Sequence, residues 1–523
     1  MVDITRRQTL FGLATGVSGL GGYWALGGDL APGDDGAPGD DHAESDTVTV
    51  GSPWTPDSLD PVVNGWLWRR ISVLEPLLTV DYDATVAPGL ATDWRRVDDV
   101  TWEFDLREGV TFHDGTDLTA NTALPSLRRA FESNSMASVP VESVEAADDQ
   151  RVVIRTDTPF SPLPAHCTRG QTCLISPTAI TDDGSVSEPI GTGPFQFERW
   201  QQGSSITATA TADYHGSGPR VETLVYEGIT DDQTRRLKLE SDELDMARIL
   251  PNETADTLES RDGLSAHTYE IPRARYLVFD LDSSPFSDRR VRSAVMHAVD
   301  RDAIVENILS GLGSAAVGPF PSNITDWAVD DLEPYEYNPD RARSLLSEAG
   351  WEQDGETRTR DGESLSVSIW TYNTRPKLPT IAQVIQRQLQ EVGFDVEVTL
   401  MESATIKEQA KSGSFDAVLW SSSVLWYPDP DRLSDFVHSE TATMFSGFEN
   451  ETVDRLLEEA RRTSDRDERF ERYAEVQRIV QREVPIGWLT YYTNVVGTRA
   501  DIDGYRPHPT ESCYHLENIT RQR

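Results

Sequence analysis

A short stretch of the chain combines aromatic rings with charged side chains. Residues 419–432 read LWSSSVLWYPDPDR, which places Trp420, Trp426 and Tyr427 close to Asp429. Large rigid rings beside a few charges are the usual lining of a cleft that holds a small molecule. The same pattern also fits a buried strand over DAVLW followed by a proline-rich loop, in which the rings would only fill the core. The chemistry indicated first is therefore noncovalent ligand binding.

Two other segments supply further candidate binding residues. The segment TYNTRPKLP contains Tyr372 and Arg375, and a guanidinium can pair with a carboxylate of a ligand. The segment SPWTPDSLDP contains Trp54, which follows the first predicted strand. A surface position for the arginine and a packing role for Trp54 remain the alternative interpretations.

Motifs of covalent or metal chemistry are not found in the sequence. There is no G-x-S-x-G elbow, no H-E-x-x-H pair and no phosphate-binding loop that ends in Gly-Lys-Ser/Thr. His166 with Cys167 and Cys173 matches no common zinc site. These two thiols have a spacing that permits a small disulfide loop outside the cell, which would leave Cys513 unpaired. We therefore predict no enzyme activity, no cofactor and no metal site.

The composition is strongly acidic. The chain has 88 Asp and Glu against 47 Lys and Arg, for a formal net charge of −41, and its only lysines are Lys238, Lys377, Lys407 and Lys411. This charge repels phosphate backbones, so nucleic acid is not an expected partner. At molar salt the Debye length is about 3 Å, which screens the self-repulsion of such a chain. The composition therefore indicates a protein of a halophilic organism.

The beginning of the chain predicts export. In TRRQTLFGLATGVSGLGGYWALGG, Arg6 and Arg7 precede a short apolar run, as in a twin-arginine signal, and we assign the signal to residues 1–28. Residues 29–46 are rich in Gly, Pro and Asp, which is typical of a flexible tether. We expect the protein to function at the outer face of the cell membrane, where it would be attached either through a permease or through an uncleaved signal.

Strand and helix patterns mix along the remaining chain. TVTVGSP, TWEFDL and RVVIRT alternate like strands. Residues 287–311 predict one helix that begins at a capping Ser287 and stops at Gly311. NPDRARSLLSEAGW predicts a second helix, capped by Asn338, and PTIAQVIQRQLQEVG predicts a third that leads into the strand FDVEVTL. The pattern indicates an α/β fold.

Four long segments resemble a known family. In chain order they are VAPGLATDWRRVDDVTWEFDLREGVTFHDGTDLTA, GTGPFQFERW, SSPFSDRRVRSAVMHAVDRDAIVENILSG and NPDRARSLLSEAGW. Together they resemble the extracytoplasmic solute-binding proteins that feed ABC importers of the peptide/nickel (dipeptide/oligopeptide) class. The likeness covers the chain from about residue 47 to its end, and with the acidic composition it suggests a halophilic archaeal source.

The resemblance implies a two-lobed, periplasmic-binding-protein-like (type II) fold with an extra inserted subdomain and a ligand held between the lobes. Such a protein captures a solute and delivers it unchanged to the transmembrane subunits of an ABC permease, and we expect a monomer. The ranges we assign are 47–83, 184–271 and 488–523 for the first lobe, 84–183 for the insertion and 272–487 for the second lobe.

The resemblance also bears on the ligand. Relatives that bind free peptides carry an aspartate four residues before a proline in the loop that corresponds to residues 419–432, and Trp426 occupies that position here. A peptide or peptide-like solute remains the first expectation. An indole face also holds a cation or stacks on a sugar ring, so an oligosaccharide, a nickel complex or another small solute stays open. A chemosensory or adhesive role and a secreted hydrolase are the other functional alternatives.

We predict that folding depends on salt, because the net charge of −41 must be screened before the chain can compact. Circular dichroism across a series from about 0.1 M to several molar KCl should show structure gained as the Debye length falls from about 10 Å to below about 3 Å. Equal stability at both ends of the series would contradict this expectation.

Overall fold

The computed structural model describes residues 46–522, except for residues 56, 412, 414 and 445. The predicted signal and nearly all of the predicted tether lie outside the described residues. None of the helices in the described part of the chain is long and apolar enough to cross a bilayer.

The strands among the described residues are β1 (Thr47–Ser52), β2 (Leu78–Val80), β3 (Val86–Pro88), β4 (Ala91–Arg96), β5 (Thr101–Leu106), β6 (Val141–Asp148), β7 (Arg151–Thr156), β8 (Phe195–Gln201), β9 (Ser205–Ala210), β10 (Thr223–Gly228), β11 (Met246–Ala247), β12 (Leu264–Phe279), β13 (Glu352–Asp354), β14 (Thr357–Arg360), β15 (Glu363–Ser364), β16 (Ser366–Thr371), β17 (Asp395–Leu400), β18 (Ala417–Ser423), β19 (Ile486–Arg499), β20 (Ile502–Asp503) and β21 (Thr520–Arg521).

The α-helices of the same part of the chain are α1 (Pro61–Arg70), α2 (Ala120–Phe131), α3 (Leu163–His166), α4 (Asp232–Glu240), α5 (Ala255–Glu259), α6 (Arg289–Ala298), α7 (Arg301–Ile308), α8 (Pro339–Glu348), α9 (Leu378–Glu391), α10 (Ser403–Ala410), α11 (Ser434–Val437), α12 (Glu451–Arg462) and α13 (Arg466–Glu483).

One mixed sheet runs through the described chain in the order β17-β16-β18-β12-β19-β11-β1-β10-β9-β8. Its centre is the antiparallel pair of β12 and β19, whose register shifts between Ile271 and Ala274. The second half of β12 also pairs with β18, and the far end of β19 pairs with β11. Strand β19 is rich in β-branched and aromatic residues and is buried almost throughout, as expected for a central strand covered on both faces. These two strands therefore connect both ends of the sheet.

A second, antiparallel sheet has the order β4-β5-β7-β6 and carries helix α2. Its apolar cluster includes Phe104, Leu127 and Ile154. Two other large clusters lie at the ends of the ten-stranded sheet. One contains Val50 and Tyr226, and the other extends over residues 274–491. The chain therefore has several separate cores, as its length requires.

Several local predictions are confirmed. Asn338 caps α8, because its side chain accepts a hydrogen bond from the backbone N–H of Arg341 at 2.9 Å. Helix α9 leads into β17, and TVTVGSP, TWEFDL and RVVIRT form β1, β5 and β7. The structure also gives a reason for the glycines of the GTGPF segment: a Cβ on Gly193 would lie 2.3 Å from the backbone oxygen of Ser72, where two backbones pack closely.

The single helix predicted for residues 287–311 is wrong. The chain forms α6 and α7 there, and α6 is capped by Asp288 rather than by Ser287. Between the helices, the side chain of Asp300 accepts a hydrogen bond from the backbone N–H of Ala303 at 2.8 Å. An aspartate at this position starts a new helix, because its side chain satisfies a free N–H of the first turn. Helix α7 then ends at Ile308, before Gly311.

Candidate functional site

A cavity of about 570 Å³ lies beside strand β18 and the loop that follows it. Val418, Trp420 and Ser422 line this cavity, and the two-residue period of a strand places alternate side chains on the same face. Trp426 and Tyr427 extend the wall from the loop. Its size is that of a typical small-molecule site, so three of the predicted aromatic residues share one ligand-sized cavity.

The three rings differ in how firmly the surrounding protein holds them. Trp420 is 9% exposed, and its ring centroid lies 4.5 Å from that of Tyr372. Tyr427 is buried, with its ring centroid 4.1 Å from that of His166. Trp426 is 36% exposed although it lines the cavity. Trp426 is therefore the ring with the most surface left for a ligand.

Tyr372, Arg375 and Trp54 are not among the residues that line this cavity, although Tyr372 packs against the lining residue Trp420. The Tyr372 hydroxyl donates a hydrogen bond to the backbone oxygen of Ser421 at 3.0 Å. Arg375 is only 7% exposed, so it is not a surface arginine. Its guanidinium carbon lies 4.9 Å from the centroid of the half-buried Trp54 ring and 5.6 Å from that of Tyr492. This contact joins a segment near the start of the described chain to the loop after β16.

Asp429 does not belong to the lining of the cavity. Its carboxylate accepts hydrogen bonds from Nη2 of Arg469 at 2.7 and 2.8 Å, and a third from the backbone N–H of Asp431 at 2.9 Å. Burial raises the pKa of Asp429, and the charge of Arg469 opposes that effect. The carboxylate is therefore engaged in attaching the aromatic loop to helix α13.

The basic side chains of the cavity are what the sequence analysis missed. Arg169, Arg273, Lys407, Lys411 and Arg432 all line it. A signal for two of them was present, since the chain has few lysines and two of them are spaced four residues apart in and just after α10. Side chains with that spacing share one face of a helix.

The cysteines form no disulfide. All three are free thiols, and Cys167 and Cys173 are buried. The thiol of Cys513, a nitrogen of His515 and a carboxylate oxygen of Glu517 lie within 4.8 Å of one another. Thiolate, imidazole and carboxylate together are ligands that suit a borderline ion such as Zn²⁺. This group lines a separate cavity of about 260 Å³ and was not predicted from the sequence.

Residues 85–444 match the family model described as bacterial extracellular solute-binding proteins, family 5 (middle). The chain belongs to this family. Among the relatives of this chain, the oligopeptide-binding protein AppA of Bacillus subtilis is 26% identical over 468 residues, which cover 84% of each chain. The glutathione-binding protein GsiB of Pectobacterium atrosepticum is 28% identical over 473 residues, which cover 84% of this chain and 87% of the relative.

A solved structure shows the same fold. The structure of NikA from Brucella suis in complex with Fe(III)-EDTA superposes with a TM-score of 0.82 at 23% identity, and the match covers 91% of this chain and 100% of that chain. The predicted periplasmic-binding-protein-like α/β fold is therefore confirmed.

We predict that Trp426→Ala weakens binding of a tripeptide that the parent protein binds by about 1–3 kcal/mol, because an exposed ring loses its contact area with the ligand. The unfolding free energy of the Trp426→Ala variant should differ little from that of the parent protein. Trp420→Ala is the matched control, and because that ring is packed it should cost about 3–5 kcal/mol of stability. Calorimetry and unfolding midpoints in 2 M KCl provide the two measurements. Unchanged affinity together with a large loss of stability in Trp426→Ala would mean that its ring only packs.

Proposed function

We propose that this chain is the substrate-binding component of an ABC importer and that it captures a peptide or peptide-like solute. The observation that carries this proposal is the family match over residues 85–444. It is supported by relatives named for binding oligopeptides and glutathione, of which the alignment covers 84% and 87%. The solute would be released unchanged to the transmembrane subunits of a permease.

The proposed mechanism uses two lobes that close on the solute. We place the first lobe at 47–83, 184–271 and 488–523, the insertion at 84–183, and the second lobe at 272–487. The register shift of β12 after Ile271 supports a hinge there, because irregular pairing tolerates bending better than a continuous ladder does. A ligand that contacts both lobes would favour the closed form by its difference in affinity for the two forms.

Contacts between the proposed lobes support a closed arrangement in this structure. Nζ of Lys377 lies 2.8 Å from a carboxylate oxygen of Glu253, and Arg375 lies over Trp54. The ion pair is partly exposed, so it contributes little by itself, at most about 1 kcal/mol. Closure would therefore depend mainly on the ligand, as a capture-and-release cycle requires.

We expect protein purified from its native host to carry a copurifying peptide or peptide-like solute that mass spectrometry detects after denaturation. Removing the solute and adding it back should reduce the radius of gyration measured by small-angle X-ray scattering, since the lobes close. The solute should be recovered intact after incubation. Recovery of cleaved product would favour the hydrolase alternative, and an unchanged radius of gyration would contradict the closing mechanism.

We further propose that export uses the twin-arginine route and that the chain functions as a monomer. It would remain at the outer face of the cell membrane of a halophilic archaeon, attached through its permease or through an uncleaved signal. The paired Arg6 and Arg7 before an apolar run support the route, and the charge of −41 supports the saline setting.

Replacing Arg6 and Arg7 by Lys should retain the protein inside the cell, because a twin-arginine signal is read through its paired arginines. The control replaces the exposed Arg455 and Arg462 of α12 by Lys, which changes the same residue type without touching the signal. Cell fractionation gives the readout. Normal appearance of the first variant outside the membrane would overturn the proposed route.

A further inference from the structure

The cavity described above has a charge opposite to that of the whole protein. Its lining contains five basic residues and one acidic residue, whereas the chain has a net charge of −41. The acidic residue, Asp435, is already ion-paired with Arg432. Lys407 lies on the wall with its Nζ 5.5 Å from the centroid of the Trp420 ring. Among the described residues, Arg169, Arg273 and Lys407 make no ion pair within 4.0 Å, so the cavity wall carries an excess of positive charge.

A buried arginine cluster lies behind this wall, and Arg273 belongs to both. Arg70, Arg248, Arg273 and Arg375 all act electrostatically on Glu511, and none of these five side chains is more than 7% exposed. Burial by itself would raise the pKa of Glu511, but the four guanidinium groups outweigh it and lower that pKa below its usual value. Glu511 is therefore ionised at neutral pH.

One carboxylate does not balance this arginine cluster. Among the described residues, the only ion pair within 4.0 Å that any of the four arginines makes is between Arg248 and Glu511, at 3.7 Å. Aromatic faces supply part of the remaining stabilisation, with the guanidinium carbon of Arg248 3.5 Å from the Tyr514 centroid and that of Arg70 4.9 Å from the Trp54 centroid. Positive charge in excess remains buried near the cavity.

Some donors of these arginines have no acceptor in the described protein. Nη1 of Arg273 donates to the backbone oxygen of Ser421 at 3.1 Å, but its Nε has no hydrogen-bond partner. Nη1 of Arg375 and Nε of Arg169 are also buried without a partner. A buried donor of a charged group is costly to leave unsatisfied, so such atoms normally face a partner that completes the site. An acceptor satisfies such donors, and a negatively charged acceptor would also offset the excess positive charge.

We propose that the solute is an anion with two or more carboxylates, held by Lys407 and Arg273 at the cavity wall, with Arg375 adding positive charge from behind that wall. This inference rests on the proposed solute-binding function and names its substrate class. An acidic peptide and a non-peptide polycarboxylate present the same chemistry to these groups. A cationic peptide would be repelled, and an uncharged sugar would leave the buried guanidinium groups without a counter-charge.

The saline setting is compatible with an anionic ligand. In dilute buffer the charge of −41 would repel an anion at long range, but at molar salt a Debye length of about 3 Å confines that repulsion to the surface. Buried charges are screened much less than exposed ones. Arg273 is the buried basic residue of the lining, so salt screens its charge less than that of the exposed Lys407.

The test is calorimetric titration in 2 M KCl with tri-glutamate, tri-alanine, tri-lysine and tricarballylate. We expect tri-glutamate to bind at least about 10-fold more tightly than tri-alanine, and tri-lysine to bind most weakly. Tricarballylate binding as tightly as tri-glutamate would identify a non-peptide polycarboxylate as the ligand. Clearly weaker tricarballylate binding would identify an acidic peptide.

A matched pair of variants connects the preference to the cavity. Lys407→Gln should reduce the ratio of tri-glutamate to tri-alanine affinity by at least about 5-fold. Lys238→Gln removes the same charge from a lysine that is paired with Glu227 at 2.8 Å outside the cavity, and it should leave the ratio unchanged. Thermal unfolding of both variants separates a loss of binding from a loss of fold.

Tri-alanine or tri-lysine binding as tightly as tri-glutamate would overturn the anionic class and leave the solute-binding function in place. If neither tri-glutamate nor tricarballylate bound at millimolar concentration, the proposal that the solute is an anion would also be overturned. If Lys407→Gln and Lys238→Gln reduced the affinity ratio equally, the preference for tri-glutamate would not arise from the cavity, and the proposed role of Lys407 would be wrong. The proposed function fails on different evidence, namely a protein that carries no solute and does not change its radius of gyration when its solute is added.

Discussion

The antiparallel pairing of β12 and β19 is the constraint on which the rest of the structure depends. Both strands cross the middle of the ten-stranded sheet, so the strands at its two ends are held by one shared ladder. The ladder is irregular after Ile271, and the buried Arg273 and Arg275 follow at once. The segment with the least regular pairing therefore also presents charged groups close to the cavity.

Charge is distributed unevenly between the surface and the interior. The chain as a whole has a net charge of −41, whereas the arginines near Glu511 are buried, and salt screens buried charges much less than exposed ones. Burial, and next the charge of Arg375, lowers the pKa of Arg273 only to about 10, so this group remains a cation at neutral pH. The chain therefore combines a strongly negative net charge with a cavity wall that carries positive charge, since salt screens long-range interactions at the surface more than short-range ones in the interior.

Most local features of the structure could be predicted from the sequence alone. It predicted the α/β class, the cap of α8 at Asn338, the order of α9 and β17, and the aromatic content of residues 419–432. These follow from periodicity, turn chemistry and capping, which act over a few residues. The helix predicted for 287–311 was the exception, because the capping strength of Asp300 outweighed the continuous apolar pattern.

Only the tertiary structure decided which partners these residues have. Asp429 lies in the predicted loop, yet Arg469 binds its carboxylate, and Arg375 is buried against Trp54. Arg169 and Lys407 line one cavity although they are far apart in the sequence. Pairings of this kind depend on how distant segments pack and on which charges remain uncompensated after packing. The sequence therefore determined the kinds of side chain available to the site, while the fold decided which of them line the cavity and which are already bound by other residues of the protein.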